Sequence, residues 1–235
     1  VVFLKKLFGV QGMLKGFFFD LDGTLIRAPE EDFYETISEL GLNYPLEEVC
    51  SAYMAARVWY RESANSYRTG EELWIGFADQ VLLRLGFKEQ DEELIEKIRE
   101  GMDRKEKGRL YPETLPVLEL LKDKGFYLAI ISSRPLEGVE QKLAKFGLSR
   151  FFSLVLGRES VREIKPSPLP FILALKQSGL GVKDVVFVGD SPQEDLAGAQ
   201  SMGIRAYIVD RRGRLSPAPY VISSLRELLS REKIA

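Results

Sequence analysis

Short runs of consecutive apolar residues alternate along most of this chain with longer stretches in which apolar residues recur every three or four positions. The runs fall at 17–19 (Phe-Phe-Phe), 126–132, 152–156, 184–190 and 204–209, with a shorter one at 220–222. Each is too short for a helix and largely apolar, as a strand covered on both faces must be. The periodic stretches 113–124, 135–146, 166–178, 193–202 and 224–229 read as helices, and glycines such as Gly125 and Gly147 mark where they stop. Strands alternating with helices predict an α/β fold, a parallel sheet with helices on both faces.

One long stretch breaks the alternation. Residues 29–40 open on proline and acids and stop at Gly41, while 45–67 carry Leu46, Val49, Cys50, Tyr53 and Met54 at helical spacing. A third segment opens at Thr69-Gly70-Glu71-Glu72 and ends at Gly86, and a fourth, 91–107, sets Leu94, Ile95 and Ile98 on one stripe. Four helices with short connections predict a small bundle. The expectation is an all-helical cap domain at 29–108, inserted into an α/β core made of 13–28 and 109–235. Residues 1–12, apolar with two lysines, read as an N-terminal extension that packs on the surface or frays.

Composition changes this picture mainly by exclusion. The chain has 235 residues, 45% hydrophobic and 29% charged, with a net charge of −2. Nothing in that balance favours nucleic acid or an anionic membrane, and the apolar runs are too short to span a bilayer. Cys50 is the only cysteine, which excludes a disulfide framework and fits a reducing cytoplasm. Histidine is absent, which removes Ser-His-Asp triads, His-ligated zinc and histidine acid/base chemistry. Asn43 and Asn65 are the only asparagines among many Lys, Arg and Glu, a composition that points towards a thermophile.

The candidate chemistry sits where the strands end. The first run stops in Asp20 and Asp22, and Gly23-Thr24 turns the chain. In open α/β sheets ligands bind outside the carboxyl ends of the strands. Two acids so close repel one another unless a cation or a shared proton relieves them, and a hard divalent ion such as Mg²⁺ suits carboxylates. The run 126–132 ends in Ser132-Ser133, hydroxyls able to donate to phosphate or to cap a helix. Lys165 lies just before the predicted helix 166–178, whose N-terminal dipole would add to its charge. Val186-Phe187-Val188-Gly189-Asp190 repeats the logic of the first run, with Glu194 and Asp195 following.

These four pieces, in this order, resemble the motifs of the haloacid dehalogenase superfamily of aspartate-nucleophile hydrolases. The first, Phe-Asp-Leu-Asp-Gly-Thr-Leu, is the most specific. The resemblance implies a Rossmann-like core and a two-step phosphoryl transfer. In it Asp20 is the nucleophile, Asp22 the general acid/base, and Ser132 and Lys165 stabilise charge on the transferring oxygens. Mg²⁺ would be held by Asp20, Asp190, Asp195 and the backbone of Asp22. Many relatives space the last acids one residue closer, which would select Glu194; Asp195-Leu-Ala-Gly-Ala aligns better. The helical insertion resembles the cap of the subgroup with phosphoglycolate phosphatases, haloacid dehalogenases and β-phosphoglucomutases. The implied substrate is a small phosphorylated metabolite, with no nucleic-acid or membrane partner. Ser133, Arg134 and Thr24 are candidate substrate contacts, and so are Arg57 and Arg61, which share a helix face in the cap. Trp59, Tyr60, Tyr67, Arg68 and Trp74 could also face the cleft, although aromatics at such spacing more often form the core of the cap. Asp22 argues against a dehalogenase, and the lack of histidine against a mutase that relies on one in its cap. A phosphoacceptor receiver combines similar residues in a shorter domain without the insertion. A non-enzymatic binding module would be expected to have lost a motif residue.

Overall fold

The computed structural model describes residues 14–63, 69–88, 91–105, 110–161 and 163–234. The expected N-terminal extension lies outside these residues. The chain divides into two compact units, one formed by Arg27–Arg109 and the other by the sequence on either side of it.

The larger unit is built on six strands: β1 (Gly16–Phe19), β2 (Tyr127–Ile131), β3 (Leu154–Leu156), β4 (Val185–Gly189), β5 (Arg205–Val209) and β6 (Val221–Ile222). They pair in the order β3-β2-β1-β4-β5-β6, every pair parallel. This is the doubly wound Rossmann-like α/β arrangement, in which the strand order reverses between β1 and β4. Phe17 stands beside Leu128 on one side and Val186 on the other.

Successive side chains of a strand point to opposite faces, so β1 feeds two cores. Phe17 and Phe19 pack with α5 (Thr114–Asp123), α6 (Leu136–Lys145) and α9 (Leu225–Arg231) through Leu118, Leu143 and Leu228. Phe18 packs on the other face with Phe171 of α7 (Leu169–Ser178) and Ala199 of α8 (Ala197–Ser201). All three phenylalanines are fully buried; burial of each is worth roughly 1.5–3 kcal/mol. Aromatic edges lock both layers, with Phe17 against Phe126 and Phe171 against Phe187, each at 5.1 Å between ring centroids.

The smaller unit holds α1 (Pro29–Glu39), α2 (Leu46–Ser63), α3 (Gly70–Arg84) and α4 (Glu92–Lys105). They close around Phe33, Tyr53, Phe77, Val81 and Ile98. Thr69 caps α3 by accepting the Glu72 N–H, and Asp91 caps α4 by accepting that of Leu94.

Two predicted helices begin or run differently. The stretch 166–178 is helical only from Leu169. Lys165 and Ser167 each precede a proline, which disfavours the helical conformation at both; the Lys165–Pro166 peptide is cis. Lys165 therefore has no helix N-terminus directly behind it. The stretch 193–202 is not one regular helix. At Pro192–Leu196 the chain makes a wider π turn, closed by the Leu196 N–H on the Ser191 carbonyl at 3.2 Å, before α8 begins.

Candidate active site

The crevice at the β1/β4 reversal receives the ends of both strands. Asp20 follows β1, and its N–H donates to the Val188 carbonyl at 2.8 Å, fixing it beside the end of β4. Asp190 follows β4. Asp195 reaches the same place through the π turn, a feature that often marks functional sites. Oxygens of Asp20, Asp190 and Asp195 lie within 4.8 Å of one another.

Two glycines make this convergence possible. Gly23 has φ +80°, and a Cβ there would stand 2.1 Å from the Asp190 carboxylate. A Cβ on Gly189 would meet the Asp195 carboxyl carbon at 2.3 Å. Any larger residue would push a carboxylate out of the cluster.

Lys165 enters from the loop before α7 and is buried. Its Nζ donates to Asp20 Oδ1 and to Asp195 Oδ1, both at 2.6 Å. The other oxygen of Asp195 accepts the N–H groups of Asp190 and Ser191, each at 3.0 Å. Both carboxylate oxygens of Asp195 are thus engaged, and it orients both Lys165 and the chain at Asp190. Glu194 has its N–H on the Ser191 hydroxyl at 3.2 Å and is not in the cluster.

The two acids of the first motif have opposite surroundings. Burial pushes the Asp20 carboxyl up to about 7; Lys165 opposes this, and Asp195 and Asp22 add to it. Burial would raise Asp22 as well, but Arg134 and Lys142 outweigh it and bring that carboxyl down to about 2. Arg134 Nε donates to Asp22 Oδ2 at 2.7 Å and Lys142 Nζ to Oδ1 at 2.9 Å. Asp20 therefore sits where positive charge is short and Asp22 where it is ample. A cluster of oxygen donors with one acid held well above its ordinary range fits a hard divalent cation, which would favour the charged form.

That asymmetry has a consequence for stability. The native pKa of Asp20 lies above its ordinary 3.8, so between those values the folded chain holds a proton that the unfolded chain has lost. In chelator the melting temperature should fall as pH rises from about 4 through 7. Saturating divalent cation should flatten the slope. Calorimetry at pH 5, 6, 7 and 8 with and without cation measures this, and parallel curves in both series would contradict it.

The hydroxyls stand around the same crevice. Ser132 is buried at the end of β2, and its Oγ accepts the Arg134 N–H at 3.2 Å. The Ser133 Oγ is buried and has no hydrogen-bond partner among the described residues, a state that calls for an explanation such as a ligand. The Thr24 hydroxyl is also buried and unpartnered among them, and Thr24 as a whole has no exposure.

Arg57 and Arg61 lie on α2, in the helical unit. Arg57 is partly buried, with Nη1 3.5 Å from Met54 Sδ; the side chain of Arg61 is outside the described residues, as are Tyr67 and Arg68. Trp59, Tyr60 and Trp74 pack against the core of that unit. Two groups beside the site carry no mark in the sequence. Lys142 is one of two lysines on α6, and Arg211, just past β5, is one arginine in a basic loop.

The family profile of haloacid dehalogenase-like hydrolases matches residues 14–203. The chain belongs to that family. The phosphoglycolate phosphatase of Haemophilus influenzae is 30% identical over 192 residues, which is 77% of this chain and 79% of that protein. A phosphatase of the same family from Thermococcus onnurineus superposes with a TM-score of 0.59 at 30% identity, covering 92% of this chain and 97% of its own. A dehalogenase superposes with a TM-score of 0.70 at 22% identity, covering 93% and 97%, a likeness of fold alone. Among the described residues no helix is long and apolar enough to cross a membrane.

Proposed function

We propose that this chain is a Mg²⁺-dependent phosphatase that hydrolyses a small phosphorylated metabolite through an aspartyl-phosphate on Asp20. The observation that carries this reading is the Asp20, Lys165, Asp195 and Asp190 cluster beside a separately ionised Asp22.

Asp20 and Asp190 would hold the cation, with Asp195 and the backbone of Asp22 completing its surroundings. Mg²⁺ supplies the positive charge that lets an anionic nucleophile approach an anionic phosphoryl group. Asp20 attacks phosphorus, an Asp20–phosphorus bond forms, and the bond to the leaving alkoxide breaks. Asp22 gives that alkoxide a proton. Water then attacks phosphorus, Asp22 takes its proton, and the acyl-phosphate bond breaks to restore Asp20. Lys165 and the hydroxyls of Ser132 and Ser133 stabilise charge on the transferring oxygens.

Asp22 with two cations is the ionised form that the second step needs. For the first step it must carry a proton, so one cation has to release it. An anionic substrate that draws Arg134 away would raise the proton affinity of Asp22. This favours substrates with a second anionic group, and it agrees with the name of the Haemophilus relative. Phosphoglycolate is the first compound to test. Selectivity beyond the phosphoryl group is assigned to Arg134 and to the cap's Arg57 and Arg61.

The test is phosphate release from a panel of phosphomonoesters including phosphoglycolate, alongside halide release from 2-haloacids. Turnover should require Mg²⁺, vanish in EDTA and return poorly with Ca²⁺, which takes more ligands at longer distances. Halide release in chelator without phosphatase activity would overturn the reading in favour of a dehalogenase.

A further inference from the structure

Arg211 joins three segments that are far apart in sequence. Its Nη1 donates to the Gly23 carbonyl at 2.8 Å and its Nη2 to the Thr24 carbonyl at 2.9 Å. Its Nε and Nη2 donate to Glu113 Oε1 at 3.1 and 2.8 Å. The guanidinium stacks on the Tyr111 ring, 3.4 Å from its centroid.

The carbonyls it holds belong to the turn that carries Asp22. That turn is closed by the Gly23 N–H on the Ile26 carbonyl at 2.7 Å and is flanked by the Asp190 carboxylate against Gly23. Tyr111 and Glu113 lie where the chain re-enters the α/β unit. There Ile26 bridges Leu110, and the Thr114 hydroxyl donates to the Leu25 carbonyl at 2.7 Å. One planar fork thus fixes two successive peptides of the Asp22 turn, and Glu113 and Tyr111 fix the fork.

We propose that Arg211, held by Glu113 and Tyr111, is a positioning residue that sets the Asp22-bearing turn, and that turnover depends on it through Asp22. This rests on the phosphatase reading above. Lysine cannot replace it, because an ammonium group lacks the paired donors in one plane that two adjacent carbonyls require.

The experiment measures kcat and KM of the full chain with Mg²⁺ and p-nitrophenyl phosphate. The set is wild type, Arg211→Lys, Arg211→Met, Asp22→Asn and Asp22→Asn/Arg211→Lys. Arg205→Met, on the opposite end of β5 and paired with Glu232, is the control and should keep wild-type kcat. Arg211→Lys should lower kcat about 100-fold, the scale of a 1 Å misplacement of a catalytic group, with KM within a few-fold. Arg211→Met should do the same, and its melting curve tells lost folding from lost positioning; if it does not fold, Arg211→Lys alone carries the comparison. In the Asp22→Asn background, Arg211→Lys should add little. Wild-type kcat in folded Arg211→Lys would overturn the proposal, and so would a full additional loss in the double variant. No turnover by wild type on any phosphomonoester would instead remove the phosphatase reading beneath it.

Discussion

Asp20→Asn should abolish turnover and leave the fold standing. The change is isosteric, in a position whose backbone is fixed by the N–H bond to Val188. An amide is no nucleophile, and loss of a nucleophile commonly costs at least about 10⁴-fold in kcat, or some 5 kcal/mol of barrier. The stability effect is smaller because two contributions oppose. Asparagine loses the 2.6 Å ion pair with Lys165, but it also removes a buried charge that Asp195 and Asp22 repel. Purified variant should therefore melt close to wild type while releasing no phosphate above background. Turnover within tenfold of wild type would transfer the nucleophile to another residue. Asp22→Asn should behave differently with an activated leaving group. p-Nitrophenolate needs little help from an acid, so the first step should survive while release of the acyl-phosphate slows.

The outline of the fold was legible because its signals are local. Phe17 to Phe19 must be buried on both faces of a sheet, and their placement in two opposite cores follows from strand geometry alone. Asp20, Ser132 and Asp190 directly follow apolar runs, so the crevice that gathers them could be read from where those runs stop. Helix starts were less visible. The stretch from Pro166 reads as a helix, yet Pro166 and Pro168 each restrict the residue before them, and the helix waits until Leu169. The π turn at Pro192–Leu196 was invisible as well. Its reason is that Asp195 must reach back beneath Gly189, a requirement that no local propensity expresses. Lys142 and Arg211 could not be found by any local rule. Their partners lie 120 and 188 residues away in sequence, at Asp22 and Gly23, and only the strand order brings them together.

Lys165→Met should lower both stability and activity, and the two losses have one origin. The Lys165 side chain is 2% exposed and stands between Asp20 and Asp195. Burial alone would lower its pKa, but Asp195 and Asp20 hold it above the ordinary lysine range, so it is charged. Methionine fills much of the volume and leaves the carboxylates without their cation. Removing one partner from a buried ion pair costs about 3–5 kcal/mol, chiefly through the uncompensated charge that remains. For a chain of this size that corresponds to a drop in melting temperature of about 6–20 °C. The drop should deepen as pH rises, because Asp20 then ionises without its partner. Activity should fall by about 10²–10³-fold in kcat through lost stabilisation of the transferring oxygens. A double variant separates this from general damage to the core. In Asp20→Asn/Lys165→Met one of the stranded carboxylates is gone, so Lys165→Met should cost less stability there than in wild type. Thermal melts of the four proteins at pH 6 and pH 8 give the coupling directly. Equal costs in both backgrounds would mean that Lys165 stabilises the fold by packing, including its stack over Phe187 at 5.5 Å, and not by balancing Asp20.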